Sequence, residues 1–281
     1  MNWGQWGEKF STARYQKMIE ECIDAGISTF DHADIYGSYT TEAEFGKALK
    51  QIPSVRKNIQ LITKCGIKMI SDERPDHLIK SYDTSAKHIL QSVEQSLKNL
   101  TTDYLNILLI HRPDPLMHPD EIAEIFTKLK KQGKVLHFGV SNFTVLQTAL
   151  LHSRFPVEYN QFEVSILKME AMNNGELDQC VELGIRPMAW SPLAGGKLMT
   201  NTEDERNKNI MVVAKRLAEK YNRSADQILL CFLFMHPSGI IPVIGSTKKE
   251  RLVTALEAAS LIIEREEWFM LWEAAAGHEV A

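Results

Sequence analysis

Four side chains in this sequence have the types and the setting needed to place a proton on a carbonyl oxygen. Asp31 and Tyr36 lie in Phe30-Asp-His-Ala-Asp-Ile-Tyr-Gly37, Lys64 in Leu61-Ile-Thr-Lys-Cys-Gly66, and His111 in Leu108-Leu-Ile-His-Arg-Pro-Asp114. A phenol with an ordinary pKa of ~10 is a poor proton donor at neutral pH. An ammonium beside a phenol stabilises the phenolate, and a carboxylate keeps a buried ammonium charged and in place. A histidine orients the carbonyl oxygen or assists the transfer. No side chain supplies a hydride, so a reduction built on these groups implies a nicotinamide cofactor. Each residue taken alone also has a structural explanation: a capping carboxylate, a turn tyrosine beside Gly37, a solvated strand end, a satisfied core histidine. Their joint position, each ending or closely following a short apolar run, is what favours a site.

Those runs read as strands at 27–31, 59–64, 104–110, 135–141, 157–162, 186–190 and 240–244. The 104–110 run is apolar except for Asn106, as expected of a strand buried on both faces. Helical segments alternate with them: one starting near Ser11, then 41–50, 85–100, 119–131, 144–152, one ending over 177–183, 207–221, 224–235 and 249–260. Such alternation predicts a parallel sheet with right-handed crossovers. At 281 residues, with no linker or composition shift, the expected fold is a single (β/α)8 TIM barrel domain spanning residues 1–281. The eighth strand belongs before the helix near Ser11, where only 1–7 remain, so most of the first barrel strand is expected to be lacking. In a parallel barrel the chemistry gathers at the C-terminal strand ends, and Asp31, Lys64, His111, Ser141, Gln161 and Trp190 all sit there.

Composition narrows the function classes. Hydrophobic residues make up 44% and charged residues 24%, enough to build a large core under a solvated surface. Net charge is −4 and no basic block interleaves with aromatics, which argues against a nucleic-acid partner. The four cysteines, Cys22, Cys65, Cys180 and Cys231, have no metal-ligand spacing, so no metal site is expected, and they read as buried thiols in a reducing compartment. Residues 1–20 carry no apolar signal-peptide core, and the longest apolar run, at 228–235, is far short of a membrane span. The expectation is a cytoplasmic protein with no membrane partner. No Gly-x-Gly-x-x-Gly fingerprint is present, which disfavours a Rossmann dehydrogenase.

The ordered set of motifs resembles the aldo-keto reductase family, and is similar to its bacterial predicted-oxidoreductase branch. The resemblance rests on Asp31-His-Ala-Asp-Ile-Tyr36, Thr63-Lys64, Ile110-His111-Arg-Pro, Gly133-Lys-Val-Leu-His-Phe-Gly-Val-Ser-Asn-Phe143, Tyr159-Asn-Gln161, Ala189-Trp-Ser-Pro-Leu193 and Ile241-Pro-Val-Ile-Gly-Ser246. It implies NADPH-dependent reduction of an aldehyde or ketone, with Asp31, Tyr36, Lys64 and His111 catalytic and Tyr36 the general acid. It implies that Ser141, Asn142 and Gln161 hydrogen-bond the nicotinamide carboxamide and that Trp190 stacks on its ring. Ser191, Pro192 and Leu193, with Gly195 in the flexible Ala194-Gly-Gly196, would hold the pyrophosphate. Gly245, Ser246, Thr247, Lys248 and Arg251 would surround the 2′-phosphate at a helix start, where backbone amides and basic side chains favour an anion.

The sequence also departs from that pattern. The family has an N-terminal hairpin and a first barrel strand, whereas this chain starts at Met1-Asn-Trp-Gly-Gln-Trp-Gly7, which resembles the loop after that strand. A start placed at an internal methionine, or a truncated and inactive product, would each account for this. Ala255 stands where an asparagine commonly meets the adenine, and the segment after Trp272 is short, which predicts an open substrate pocket. Two other functions compete with turnover: a nicotinamide-binding sensor or regulatory subunit, and a dead fragment. Nothing in the sequence marks a partner surface.

Overall fold

Apolar runs buried on both faces and joined by amphipathic segments force parallel strands with helical crossovers, and the computed structural model shows them. It describes residues 2–201 and 203–280, so Met1, where the predicted start falls, lies outside the described residues. The chain divides into two compact units, Met1–Gln161 with Gly245–Lys249, and Phe162–Ile244 with Glu250–Ala281.

The first unit is built on parallel strands in the order β1 (Thr29–Asp31), β2 (Gln60–Cys65), β3 (Leu105–Ile110), β4 (Val135–Ser141) and β5 (Tyr159–Glu163), the last running on past Gln161. The register sets Asp31 beside Ile62, Lys64 beside Leu109, and Ser141 beside Gln161. Because all five strands point the same way, their C-terminal ends present Asp31, Lys64, the residue after Ile110 and Ser141 on one side. Leu105, Leu108, Leu109 and Ile110 are fully buried. The one polar residue of β3, Asn106, accepts from the Leu61 N–H (2.9 Å) and from Arg56 Nη2 (3.2 Å), which explains an asparagine inside an apolar strand.

Two strands begin later than their sequence suggests, because the backbone has other partners first. The Ile27 N–H bonds the Cys22 carbonyl (2.8 Å) at the end of α1 (Thr12–Asp24), and the Val157 N–H bonds His152 Nδ1 (3.2 Å). The crossover helices start at polar caps: Ser11 accepts from the Arg14 N–H at α1, and Ser85 from the His88 N–H at α3 (Ala86–Leu100). Between them lies α2 (Thr41–Leu49), and α4 (Pro119–Lys131) opens with proline at its first position. Helix α5 (Val145–His152) begins with a Thr144/Gln147 capping box. Helix α2 presses so closely on α3 that a Cβ at Gly46 would stand 1.9 Å from the Asn99 carbonyl oxygen.

Ahead of α1, among the described residues, there is no strand. Residues 2–10 form turns instead, with the Gly7 N–H on the Gly4 carbonyl (2.9 Å) and the Phe10 N–H on the Trp3 carbonyl (2.8 Å). The buried Trp3 ring anchors them, packing against Phe10, Phe30 and Phe45. The segment expected to be a plain polar loop, after β2, holds a two-residue antiparallel ladder pairing Ile67–Lys68 with Ser81–Tyr82.

In the second unit β6 (Arg186–Trp190) pairs in parallel with β7 (Ile241–Val243). Around them are α6 (Glu176–Leu183), α7 (Glu205–Tyr221), α8 (Ala225–Phe234), α9 (Lys249–Glu257) and α10 (Arg265–Ala276). Helix α10 docks through Trp268, whose ring stacks on Phe232 at 4.6 Å and whose Nε1 donates to the Phe232 carbonyl (2.9 Å). Glu267 accepts from Lys220 (2.7 Å) and from the Tyr221 hydroxyl (2.5 Å).

Candidate active site

Lys64 Nζ sits at the centre of a group drawn from three strand ends. The side chain is completely buried at the end of β2, and its three donors have three partners: Asp31 Oδ2 at 2.7 Å, the His32 carbonyl at 2.8 Å and the Tyr36 hydroxyl at 3.2 Å. Burial pulls the ammonium down, but the Asp31 carboxylate and the Tyr36 oxygen outweigh it and hold the group above its ordinary value. Lys64 is therefore charged at neutral pH. Asp31 is itself fixed by Gln161, whose Nε2 donates to Oδ1 (3.0 Å).

His111, first residue after β3, stands edge-on to the Tyr36 ring with centroids 6.0 Å apart. Burial, reinforced by the ammonium of Lys64 and the guanidinium of Arg112, holds its imidazole well below the ordinary value. The ring is neutral, and its Nδ1 has no hydrogen-bond partner among the described residues. Trp6, half exposed, approaches Tyr36 at 6.1 Å. The four residues singled out for chemistry thus come together.

Tyr36 is followed by a turn of unusual hand. Gly37, Ser38 and Tyr39 have φ of 61°, 57° and 73°. Non-glycine residues in this region cost on the order of 1–3 kcal/mol each and persist only where the surroundings hold them. Gly37 is also required sterically, since a Cβ there would meet Thr41 Oγ1 at 2.4 Å.

Three of the residues expected around a nicotinamide carboxamide are neighbours in the same unit. Ser141 Oγ donates to the Gln161 carbonyl (2.9 Å), Asn142 Nδ2 donates to Ser141 Oγ (2.7 Å), and the Asn142 N–H donates to the same Gln161 carbonyl (2.9 Å). Ser141 and Gln161 are buried, and Asn142 adopts a left-handed φ of 60°. An amide-rich cluster of this kind suits a carboxamide, which needs both donors and acceptors.

The 245–249 segment also belongs to the first unit, tied there by residues that sequence reasoning missed. Asn2 Nδ2 donates to the Gly245 carbonyl (3.0 Å), Trp3 Nε1 to that of Ser246 (3.4 Å), and Arg14 Nη2 to that of Thr247 (3.3 Å). Ser246 Oγ accepts from the Lys248 N–H (3.2 Å) just before α9, and Lys248 is exposed. Nothing in the sequence signalled these contacts, since each joins positions more than 230 residues apart.

The remaining expected cofactor residues lie in the second unit. Trp190 ends β6, and Ser191, Pro192, Leu193 and Gly195 follow in a turn where Ser191, Ala194 and Gly195 all have positive φ. The Ala194 N–H closes it on the Ser191 carbonyl (2.8 Å). Arg251 is exposed in the first turn of α9. Ala255 faces inward, in a buried cluster with Leu230 and Ala258 on which Leu193 and Ile244 pack. No group of His, Cys, Asp or Glu among the described residues has the arrangement to hold a metal ion.

The strand ends, the tetrad and the motif order define an oxidoreductase barrel, and comparison with known proteins agrees. The sequence profile of the Aldo/keto reductase family matches residues 1–275, and the chain belongs to that family. The chain is 48% identical to the uncharacterized oxidoreductase YcsN of Bacillus subtilis over 96% of its length and 91% of that protein's. It is 40% identical to a 6-dehydroglucose reductase of Agrobacterium fabrum, over 96% and 91%. Among solved structures, the thermostable aldo-keto reductase Tm1743, crystallised with the inhibitor epalrestat, superposes with a TM-score of 0.79 at 26% identity, covering 97% of this chain and 93% of that one. The fold is accordingly that of the (β/α)8 aldo-keto reductases, and the protein is an NAD(P)H-dependent oxidoreductase acting on a small molecule. None of the described helices is long and apolar enough to cross a membrane.

Proposed function

We propose that this enzyme uses NADPH to reduce an aldehyde or ketone to an alcohol, with Tyr36 as the general acid. The observation that carries the reading is the bonding of Lys64: one buried ammonium donates at once to Asp31 Oδ2 and to the Tyr36 hydroxyl. In that position Lys64 favours negative charge on the phenol oxygen, so Tyr36 releases its proton to a substrate oxygen as charge builds there. Asp31 keeps the ammonium charged and aimed, and Gln161 keeps Asp31 from turning away. His111 acts as a neutral imidazole, contributing hydrogen bonding and no charge beside the substrate carbonyl. The bound nicotinamide would supply the hydride.

Ser141, Asn142 and Gln161 would hold the carboxamide, and Gly245, Ser246, Thr247 and Lys248 the phosphate of the adenosine half. In the second unit, Trp190, Ser191, Pro192, Leu193, Gly195 and Arg251 keep their assignment as cofactor contacts. A 2′-phosphate carries close to two charges, and each charge-assisted contact contributes about 1.5–3 kcal/mol. Lys248 and Arg251 are both exposed, which puts the effect at the low end, roughly tenfold in affinity. Four buried free thiols support a reducing, cytoplasmic setting.

The test is oxidation of NADPH and of NADH with a panel of carbonyls that includes small aromatic aldehydes and a polyhydroxylated aldehyde, the latter because the Agrobacterium relative is named for such a substrate. The reading predicts turnover, and a dissociation constant for NADPH about ten times lower than for NADH. Equal constants would remove the phosphate assignment. Tight binding with no turnover on any carbonyl would return the sensor alternative.

A further inference from the structure

Tyr36 opens a left-handed turn that L-residues avoid, and something outside the turn has to hold it. The contacts converge on Tyr39. Its hydroxyl accepts from the Met69 N–H at 2.8 Å and lies 3.4 Å from the Met69 carbonyl, to which it can donate. His77 Nδ1 sits 3.0 Å from that same carbonyl and 3.5 Å from the Tyr39 hydroxyl. The Arg74 guanidinium covers the Tyr39 ring at 4.6 Å, and the His77 ring meets it edge-on at 6.0 Å. Tyr36, Tyr39 and Met69 pack together on the buried cluster of Ala33, Ile35 and Ile67.

We propose that Tyr39 is a positioning residue. By tying the left-handed turn to the segment 67–77 it fixes the Tyr36 hydroxyl on Lys64. The inference rests on the reading of Tyr36 as general acid. Sequence reasoning passed over Tyr39, because a tyrosine three places after a chemically active one looks like an ordinary turn residue. The geometry separates it from that role: both faces of its hydroxyl are used by one backbone residue of another segment, and its ring is clamped from a second side. Burial, aided by the nearby Asp34, raises the Tyr39 phenol against the opposing Met69 N–H and Arg74 guanidinium, so the hydroxyl keeps the proton it needs to donate.

The test is Tyr39→Phe, which keeps the ring and its packing and removes both backbone hydrogen bonds. Tyr221→Phe serves as control, since it deletes a phenol–carboxylate bond to Glu267 in the second unit. Each variant is measured well below its own melting temperature. Tyr39→Phe should lower kcat by about tenfold or more with KM and the NADPH dissociation constant within about twofold, because a displaced acid weakens only the transition state. Amide exchange of 67–77 should accelerate by about tenfold as the latch opens. Tyr221→Phe should leave both readouts at their natural values. If Tyr39→Phe does not fold, His77→Ala, which strips the second contact on the Met69 carbonyl and the edge-on contact on the Tyr39 ring but leaves the Met69 N–H on the Tyr39 hydroxyl, carries the test with a smaller loss of kcat of about threefold. A kcat within about twofold of the natural enzyme together with a lowered melting temperature shows a merely structural tyrosine and overturns the proposal. If the natural protein reduces no carbonyl, the reading of Tyr36 falls by itself. The exchange measurement then decides the latch, and unchanged exchange in 67–77 refutes it.

Discussion

Replacing Lys64 by Met deletes the ammonium that bonds Asp31, the His32 carbonyl and Tyr36 together. It leaves the Asp31 carboxylate held by the Gln161 amide. Removing one partner of a buried pair costs about 3–5 kcal/mol, so Lys64→Met should be less stable as well as inactive. Asp31→Asn keeps an oxygen at the same place, and Lys64 retains its other two acceptors, so kcat should fall by a smaller factor, about tenfold to a hundredfold. Steady-state kinetics on both variants, at a temperature where each is folded by circular dichroism, checks the order. A larger loss in Asp31→Asn than in Lys64→Met would mean that the carboxylate has been given too small a part. At this scale the tetrad was legible from sequence because chemically distinctive types fell at the ends of apolar runs. Tyr39 and Arg14 were not legible, since each acts through a backbone carbonyl or N–H of a distant segment.

Between Tyr36 and α2 the chain depends on Gly37. Alanine there must adopt φ near 61° and place a methyl group 2.4 Å from Thr41 Oγ1 and 2.9 Å from Thr40 Oγ1. The backbone penalty and the forced shift of α2 together should cost about 1–3 kcal/mol. Because the shift passes directly to Tyr36, turnover of Gly37→Ala should drop by about tenfold. Urea unfolding and kcat measured on the one variant check both parts, and a loss of stability with full turnover would show that Tyr36 is held from elsewhere. Among the elements, strands such as β3 and β6 were legible because they are short and apolar, and the capped helices because Ser11, Ser85, Thr144 and Ser224 announce them. Helix α10 was missed. Its run Trp268-Phe-Met-Leu-Trp272 is apolar on every side and follows four charged residues, Glu264-Arg-Glu-Glu267, so no helical period stands out. The ladder of Ile67–Lys68 with Ser81–Tyr82 was missed because two-residue strands carry no alternation.

For the molecule as a whole, the response of stability to acid is a balance between a histidine kept neutral and two buried carboxyl groups. His32 is completely buried against Phe45, with neither ring nitrogen bonded among the described residues, and burial holds it well below its ordinary value of 6.5. A lowered histidine takes up its proton in the unfolded chain first, so its effect is to destabilise the fold as pH falls below 6.5 and to vanish above it. Buried Asp34 and Glu42 act in the opposite sense: burial raises both, so they favour the fold at low pH and cost stability as pH rises through their raised values. The difference between the natural protein and His32→Leu isolates the histidine. The variant should gain on the natural protein by about 1.4 kcal/mol for each pH unit below 6.5. Parallel stability curves between pH 7.5 and 5 would show that His32 is protonated, or paired, in the fold.

Family membership and the (β/α)8 class were legible at this scale because the motifs run in order along the whole chain, each at a strand end. The ties from Asn2, Trp3 and Arg14 to the 245–249 segment were not, since they join positions more than 230 residues apart. The central claim is that one hydroxyl delivers the proton. The most direct measurement is kcat for NADPH oxidation by Tyr36→Phe with the best carbonyl substrate, together with its NADPH dissociation constant by tryptophan quenching. The account predicts a fall in kcat of at least about a thousandfold with binding changed by less than about twofold. Turnover like that of the natural enzyme, or a loss confined to cofactor binding, would contradict it.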